Sequence, residues 1–147
     1  MQNYNPIKIL YVGENFLGST SEQRFAALRR LGYDLDEVNF SKNFNKNSFK
    51  GIISRILQKF SYSIDFVFAN DQIYKKILSD KYHILWIDKG LTIKPGLIND
   101  IKQSNRVKFI VGYYNDDMFQ KHNQSIQWRQ GLSMNDLIET TKSNNVN

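Results

Sequence analysis

The stretch VGYYNDDMFQKHNQS, residues 111–125, sets two adjacent carboxylates, Asp116 and Asp117, after an apolar run and a few residues before His122. Residues of these types could hold a metal, act on a substrate or turn the chain. A metal needs three or more ligands, and the local sequence supplies only His122 as a further strong one. As hydrogen-bond acceptors the carboxylates suit sugar hydroxyls, and Asp117 or His122 could serve as a general base, the imidazole being oriented by a carboxylate beside it. The structural alternative is an Asp that closes a turn onto backbone N–H groups, for which this residue type is well suited. The other histidine, His83, opens an apolar run and reads as structural.

A second candidate is GENFLGST, residues 13–20. Its glycines have the spacing of the phosphate-binding loop GxxxxGK[ST], with Ser19 in the Lys position. Without that Lys the terminal phosphates lose their main cationic partner, so an ATPase reading fails. What remains is a Gly-containing turn ahead of a helix, whose free N–H groups can hold an anion or sugar hydroxyls, or can simply be capped by the residues at 19–21. The dinucleotide fingerprint GxGxxG is absent.

These residues must be placed by the elements around them. Residues 7–12 (IKILYV) predict a buried strand stopped by Gly13. Residues 21–31 predict a helix, with Phe25, Leu28 and Leu31 at spacing three and Gly32 just past its end. Ser19 with Glu22, or Thr20 with Gln23, fits a capping box at its start. A weaker strand follows at 34–40, then a polar, Asn-rich loop at 41–48. Residues 48–60 predict an amphipathic helix with Phe49, Ile52, Ile53, Ile56, Leu57 and Phe60 on one face. Strands at 64–69, 83–88, 107–113 and 136–140 alternate with helices at 71–78, from Pro95 to 103, and at 124–132. Short β-α repeats of this kind imply parallel strands joined by right-handed crossovers. The expected fold is α/β: a Rossmann-like open parallel sheet of about six strands with helices on both faces. In such sheets ligands sit at the carboxyl ends of the strands, which selects the loops at 13–20, 70–71, 89–90 and 113–123.

A chain of 147 residues, 41% hydrophobic and 14% aromatic, has the length and composition of one folded domain, residues 1–147. It contains no Cys, which excludes disulfides and thiolate metal sites. No apolar run approaches the ~18 residues of a membrane span and no signal peptide opens the chain, so a cytoplasmic protein is expected. The net charge of +6 favours anionic partners, and much of it is concentrated: between Glu37 and Asp65 stand five basic residues (Lys42, Lys46, Lys50, Arg55, Lys59) and no acidic one. The helix in that segment is first a crossover helix with its apolar face on the sheet; contact with an anionic membrane surface is its alternative use. No nucleic-acid recognition motif appears, so no nucleic-acid partner is expected.

Four segments together carry a resemblance. KILYVGENFLGSTSEQRFAALRRLGYDLDEVNF, with Arg24, Ala27, Leu28, Leu31 and Gly32 in an Arg-x-x-Ala-Leu-x-x-Leu-Gly pattern, resembles the opening of the CgeB-like, spore-maturation-related glycosyltransferases. HILWIDKGLTIKPGLI resembles the strand-Lys-Gly segment of that family, YYNDDMFQKHNQS its Asp-Asp-Met-Phe and His-Asn segment, and LIETTKSNN its strand ending in Thr-Lys-Ser. The resemblance implies the amino-terminal, acceptor-side domain of a two-domain GT-B enzyme, with a nucleotide-sugar donor held mainly by a second domain. It implies no divalent metal and no other cofactor.

It departs from that pattern where the chain stops at Asn147, since the resemblance predicts a further helix and then a donor domain. Little or no transferase activity is expected of this chain alone, because groups that stabilise the leaving nucleoside diphosphate would come from the other half. The expected cleft residues are Gly13, Glu14, Asn15, Ser19, Thr20, Arg24, Lys89, Tyr113 and Asp116 for substrate, with Asp117 or His122 as base. The partners implied are an unknown glycan or other acceptor and a separate donor domain. The rival expectation is a non-catalytic glycan-binding or protein-interaction module. A phosphate-receiving signalling domain would need acidic residues after the first strand and a phosphoacceptor Asp after the third, whereas GEN and AND supply only Glu14 and Asp71.

Overall fold

The apolar runs IKILYV, HILWID and VKFIVGYY become the three central strands of one sheet in the computed structural model, which describes residues 6–41, 49–117, 120 and 123–142. In chain order the elements are β1 (Lys8–Gly13), α1 (Thr20–Arg30), β2 (Asp34–Asn39), α2 (Phe49–Lys59), α3 (Ala69–Ser79), β3 (Tyr82–Asp88), α4 (Pro95–Ser104), β4 (Val107–Tyr114), α5 (Ile126–Gly131), a 3-10 turn (Leu132–Met134) and β5 (Leu137–Thr140). The strand order is β2-β1-β3-β4-β5 and every pairing is parallel. This is the expected Rossmann-like open sheet, with five strands rather than six.

Side-chain alternation along the strands divides the core into two layers. Leu10, Val12, Leu85, Ile87 and Ile110 pack with Ile73 and Ile77 of α3 and Leu97, Ile98 and Ile101 of α4 in one buried cluster. Full burial of an aliphatic side chain stabilises the fold by roughly 1.5–3 kcal/mol, so this layer holds the sheet together. The alternate residues face α1: the Tyr11 ring meets Phe25 edge-on at 5.4 Å and lies parallel to Trp86 at 6.4 Å. Helices thus cover both faces, α1 on one and α3 and α4 on the other.

The start of α1 is capped by Ser19, whose Oγ accepts from the Glu22 N–H at 3.0 Å. Glu22 reaches back to the Gly18 N–H at 3.3 Å, one residue earlier than a capping box on Ser19 requires. At its other end the chain passes through Gly32 at φ +86, and the Tyr33 N–H bonds the Leu28 carbonyl, closing the helix in the left-handed manner that favours glycine. Of the three residues expected on its apolar face Phe25 is buried, whereas Leu31 is 73% exposed.

Two expectations are corrected. Residues 64–69 form no strand: the Asp65 carboxylate accepts from the Ala69 and Asn70 N–H groups, both at 2.8 Å, and so caps α3 from outside. A short, mostly apolar stretch such as IDFVFA cannot by itself be told from a pre-helical turn, and here the satisfied N–H groups decide it. The apolar stripe of α2 does not lie on the sheet either, because Phe49, Ile52 and Ile56 are exposed and none joins the buried cluster. The loop expected at 41–48 lies outside the described residues apart from Ser41. No described helix is long and apolar enough to cross a membrane.

Candidate functional site

At the carboxyl end of β3 the Asp88 carboxylate is buried, and three hydrogen bonds converge on its Oδ2. Tyr11 donates from its hydroxyl at 2.7 Å, and Arg24 from Nε at 3.0 Å and Nη2 at 2.6 Å. The Tyr11 oxygen also lies 3.0 Å from Ser21 Oγ. A phenol has one proton; with that proton committed to Asp88, Ser21 is the donor to Tyr11. Burial pushes the Tyr11 phenol well above its ordinary value; the Ser21 contact opposes this and the Asp88 carboxylate reinforces it. Tyr11 is therefore a fixed neutral donor. Burial alone would ease the proton off Arg24, but the hydrogen bonds and charge of Asp88 outweigh it and hold the guanidinium ionised.

An aromatic layer supports this pair. The Arg24 guanidinium lies over the Tyr113 ring at 4.2 Å, and Tyr113 stacks on Trp86 at 5.7 Å. The close approach of α1 depends on Gly13, since a Cβ there would collide with Ser21 Oγ and stand 2.8 Å from Tyr11 Cε1. Any other residue type at that strand end must displace the Ser21 hydroxyl and the edge of the Tyr11 ring.

Three loops close around the pair. After β1, the Ser19 N–H bonds the Phe16 carbonyl at 2.9 Å and Gly18 takes φ +84, turning the chain into α1. After β3, Lys89 takes φ +58, donates its N–H to the Tyr113 carbonyl at 3.0 Å and forms an ion pair with Asp116. After β4, Asn115 Nδ2 donates to Thr20 Oγ1 at 3.3 Å, tying that loop to the start of α1. The result is a pocket of about 150 Å³ lined by Glu14, Phe16, Ser19, Thr20, Ser21, Arg24, Asp88, Lys89 and Asn115.

Five residues singled out from the sequence line this pocket: Glu14, Ser19, Thr20, Arg24 and Lys89. Gly13 and Tyr113 lie directly behind it in structural roles. Asp116 does not line it but pairs with Lys89, which does. Asn15 turns the other way, its Nδ2 donating to Glu37 Oε1 at 2.7 Å and its N–H to Asn39 Oδ1 at 3.1 Å, which fastens the loop to β2. Asp117 does not line the pocket; its carbonyl accepts from Asn123 Nδ2 at 2.9 Å and from the Gln120 N–H at 3.3 Å, which makes it part of a turn. His122 lies outside the described residues. Among the described residues no group of three or more His, Asp or Glu side chains is placed to hold a metal ion.

Phe16, Ser21, Asp88 and Asn115 were not anticipated. Asp88 left a legible signal, because a carboxylate that ends an apolar strand of a parallel sheet is buried and needs a cationic partner. Comparison with protein-family models, with curated proteins and with solved structures finds no match to this chain.

Proposed function

We propose that this chain is the acceptor-side domain of a glycosyltransferase of the GT-B kind, binding a hydroxyl-rich acceptor at the carboxyl edge of its sheet and acting with a second, donor-binding domain. The observation that carries this reading is the convergence of the β1, β3 and β4 loops on one pocket whose wall alternates hydroxyls, carboxylates and cations. Its two cations are each neutralised by a carboxylate, Arg24 by Asp88 and Lys89 by Asp116, and Glu14 adds a further carboxylate, so the wall presents hydrogen-bonding groups with no excess of positive charge. That suits a neutral polyol better than a phosphate, which would need an uncompensated cation. At about 150 Å³ the pocket falls below the ~300–1,000 Å³ of a complete small-molecule site, the size expected of one wall of a cleft.

In this reading Glu14, Ser19, Thr20 and Asn115 hold acceptor hydroxyls, while Arg24, fixed by Asp88 and Tyr113, sets the shape of the wall. Where the base lies in this half of the enzyme, Asp117, in the turn after β4 rather than in the pocket wall, and His122 are the candidates to take the proton of the attacking hydroxyl. The test is turnover of nucleotide sugars with a donor domain supplied. Asp117→Asn or His122→Ala is expected to lower kcat by ~10²-fold or more, the range of general-base catalysis, and wild-type turnover in both would remove them from the mechanism.

A second reading, a non-catalytic glycan-binding or protein-interaction module, is favoured by the engagement of Asp88 with Arg24 and by the exposed apolar side chains Phe109 on β4 and Leu137 on the neighbouring edge strand β5. Glycan binding with no turnover under any donor-domain pairing would select it.

A further inference from the structure

Helix α2 turns large apolar side chains outward: Phe49 is 78% exposed, Ile52 43%, Ile56 51% and, just beyond the helix, Phe60 71%. Spaced by three and four, these four positions fall along one stripe. A stripe of this kind on a crossover helix normally lies on the sheet; here Ile53 and Leu57 are half-buried and the other four side chains are left to solvent. The end of the helix is nonetheless fastened to the body, since the Ser61 carbonyl accepts from the Ile126 N–H at 2.7 Å and the Ser63 carbonyl from Gln127 Nε2 at 2.9 Å. The stripe is therefore held in place rather than trailing.

Charge selects what covers it. The segment between Glu37 and Asp65 holds five basic residues and no acidic one, and α2 itself carries Lys50, Arg55 and Lys59 in 11 residues. Nucleic acid would meet the cations but leave the phenylalanines and isoleucines in water. An anionic bilayer offers both layers at once, phosphates in front and acyl chains behind. We propose that α2 docks the protein reversibly on an anionic lipid bilayer, its apolar stripe entering the boundary between headgroups and acyl chains. The proposal is independent of the reading of the pocket.

The experiment is co-sedimentation of the full chain with vesicles of phosphatidylcholine alone and of equal parts phosphatidylcholine and phosphatidylglycerol. The anionic vesicles are expected to bind at least ~10-fold more protein, and less of it as salt rises. Lys59→Glu should weaken that binding by at least about fivefold, the worth of one basic residue near the surface. Ile56→Glu and, outside the helix, Phe60→Ser should abolish it with the circular dichroism spectrum and urea midpoint unchanged. Equal binding to both vesicles, no binding, binding indifferent to these substitutions, or a dimer in sedimentation equilibrium that Ile56→Glu disperses would each overturn the proposal.

Discussion

Arg24, in the second turn of α1, places Nε and Nη2 at 3.0 and 2.6 Å from the same oxygen of Asp88 at the end of β3. The Asp88 side chain is 4% exposed and the Arg24 side chain 22%, so the pair lies at the floor of the pocket rather than at its rim. Its Coulomb energy is offset by desolvation, yet losing one partner strands the other.

Replacing Arg24 by Ala is accordingly expected to cost about 3–5 kcal/mol of unfolding free energy, the usual result of leaving a buried charge unpaired. Tyr11→Phe removes one donor and leaves Arg24 in place, which should cost about 1–3 kcal/mol. Urea denaturation of the two variants checks the order, and a Tyr11→Phe loss equal to that of Arg24→Ala would show that the ion pair is not the dominant support.

Gly13→Ala introduces one methyl group against Ser21 and Tyr11. Overpacking of this kind costs about 1–3 kcal/mol, and here relieving it disturbs the Ser21 and Tyr11 contacts behind the pocket. Stability should fall by that amount, together with ligand affinity in the pocket, whereas Gly96→Ala, in helix α4 where a Cβ meets nothing within 4 Å, should leave affinity unchanged and raise stability by about 0.4–1 kcal/mol.

Acid should destabilise the fold through named carboxylates. At Asp136 burial acts to raise the pKa, but the Lys102 hydrogen bond, the Ile110 N–H and the Lys102 charge together bring it below 3.8. Asp80 is lowered chiefly by its hydrogen bond to Lys8. For a carboxylate whose folded value is depressed, the stabilisation is present above the unfolded value and vanishes as pH falls through the folded one. The urea midpoint should therefore decline below about pH 4, and Asp136→Asn should make that decline shallower. A midpoint that falls as steeply in the variant as in the wild type would contradict the assignment.

The fold was legible wherever burial was continuous. β1, β3 and β4 announce themselves as apolar runs because a parallel strand covered on both faces has no polar side to show. The same logic misled at residues 64–69, where a stretch apolar but for Asp65 is turned into a helix start by that carboxylate, a contact that hydropathy does not record. The stripe on α2 was legible as a pattern but its partner was not, since periodicity gives a face and not what lies against it.

The pocket was partly legible for a topological reason. The rule that ligands sit beyond the carboxyl ends of strands directed attention to loops that do meet in one pocket, and Glu14, Ser19, Thr20, Arg24 and Lys89 line it. The floor was missed because Asp88 reads as the last letter of HILWID, and its pairing with a helix residue spans |i−j| = 64. Asn15 faces away from the pocket because a loop residue beside it can equally turn to the neighbouring strand, as its bonds to Glu37 and Asn39 show.

Saccharide titration followed by ¹H–¹⁵N NMR of the whole chain tests most directly whether the three loops form one binding site. Shift changes should gather at Glu14, Ser19, Thr20, Lys89 and Asn115 and diminish in Glu14→Gln. Changes spread over the surface, centred on α2 or β5, or absent across neutral and acidic oligosaccharides would contradict the account.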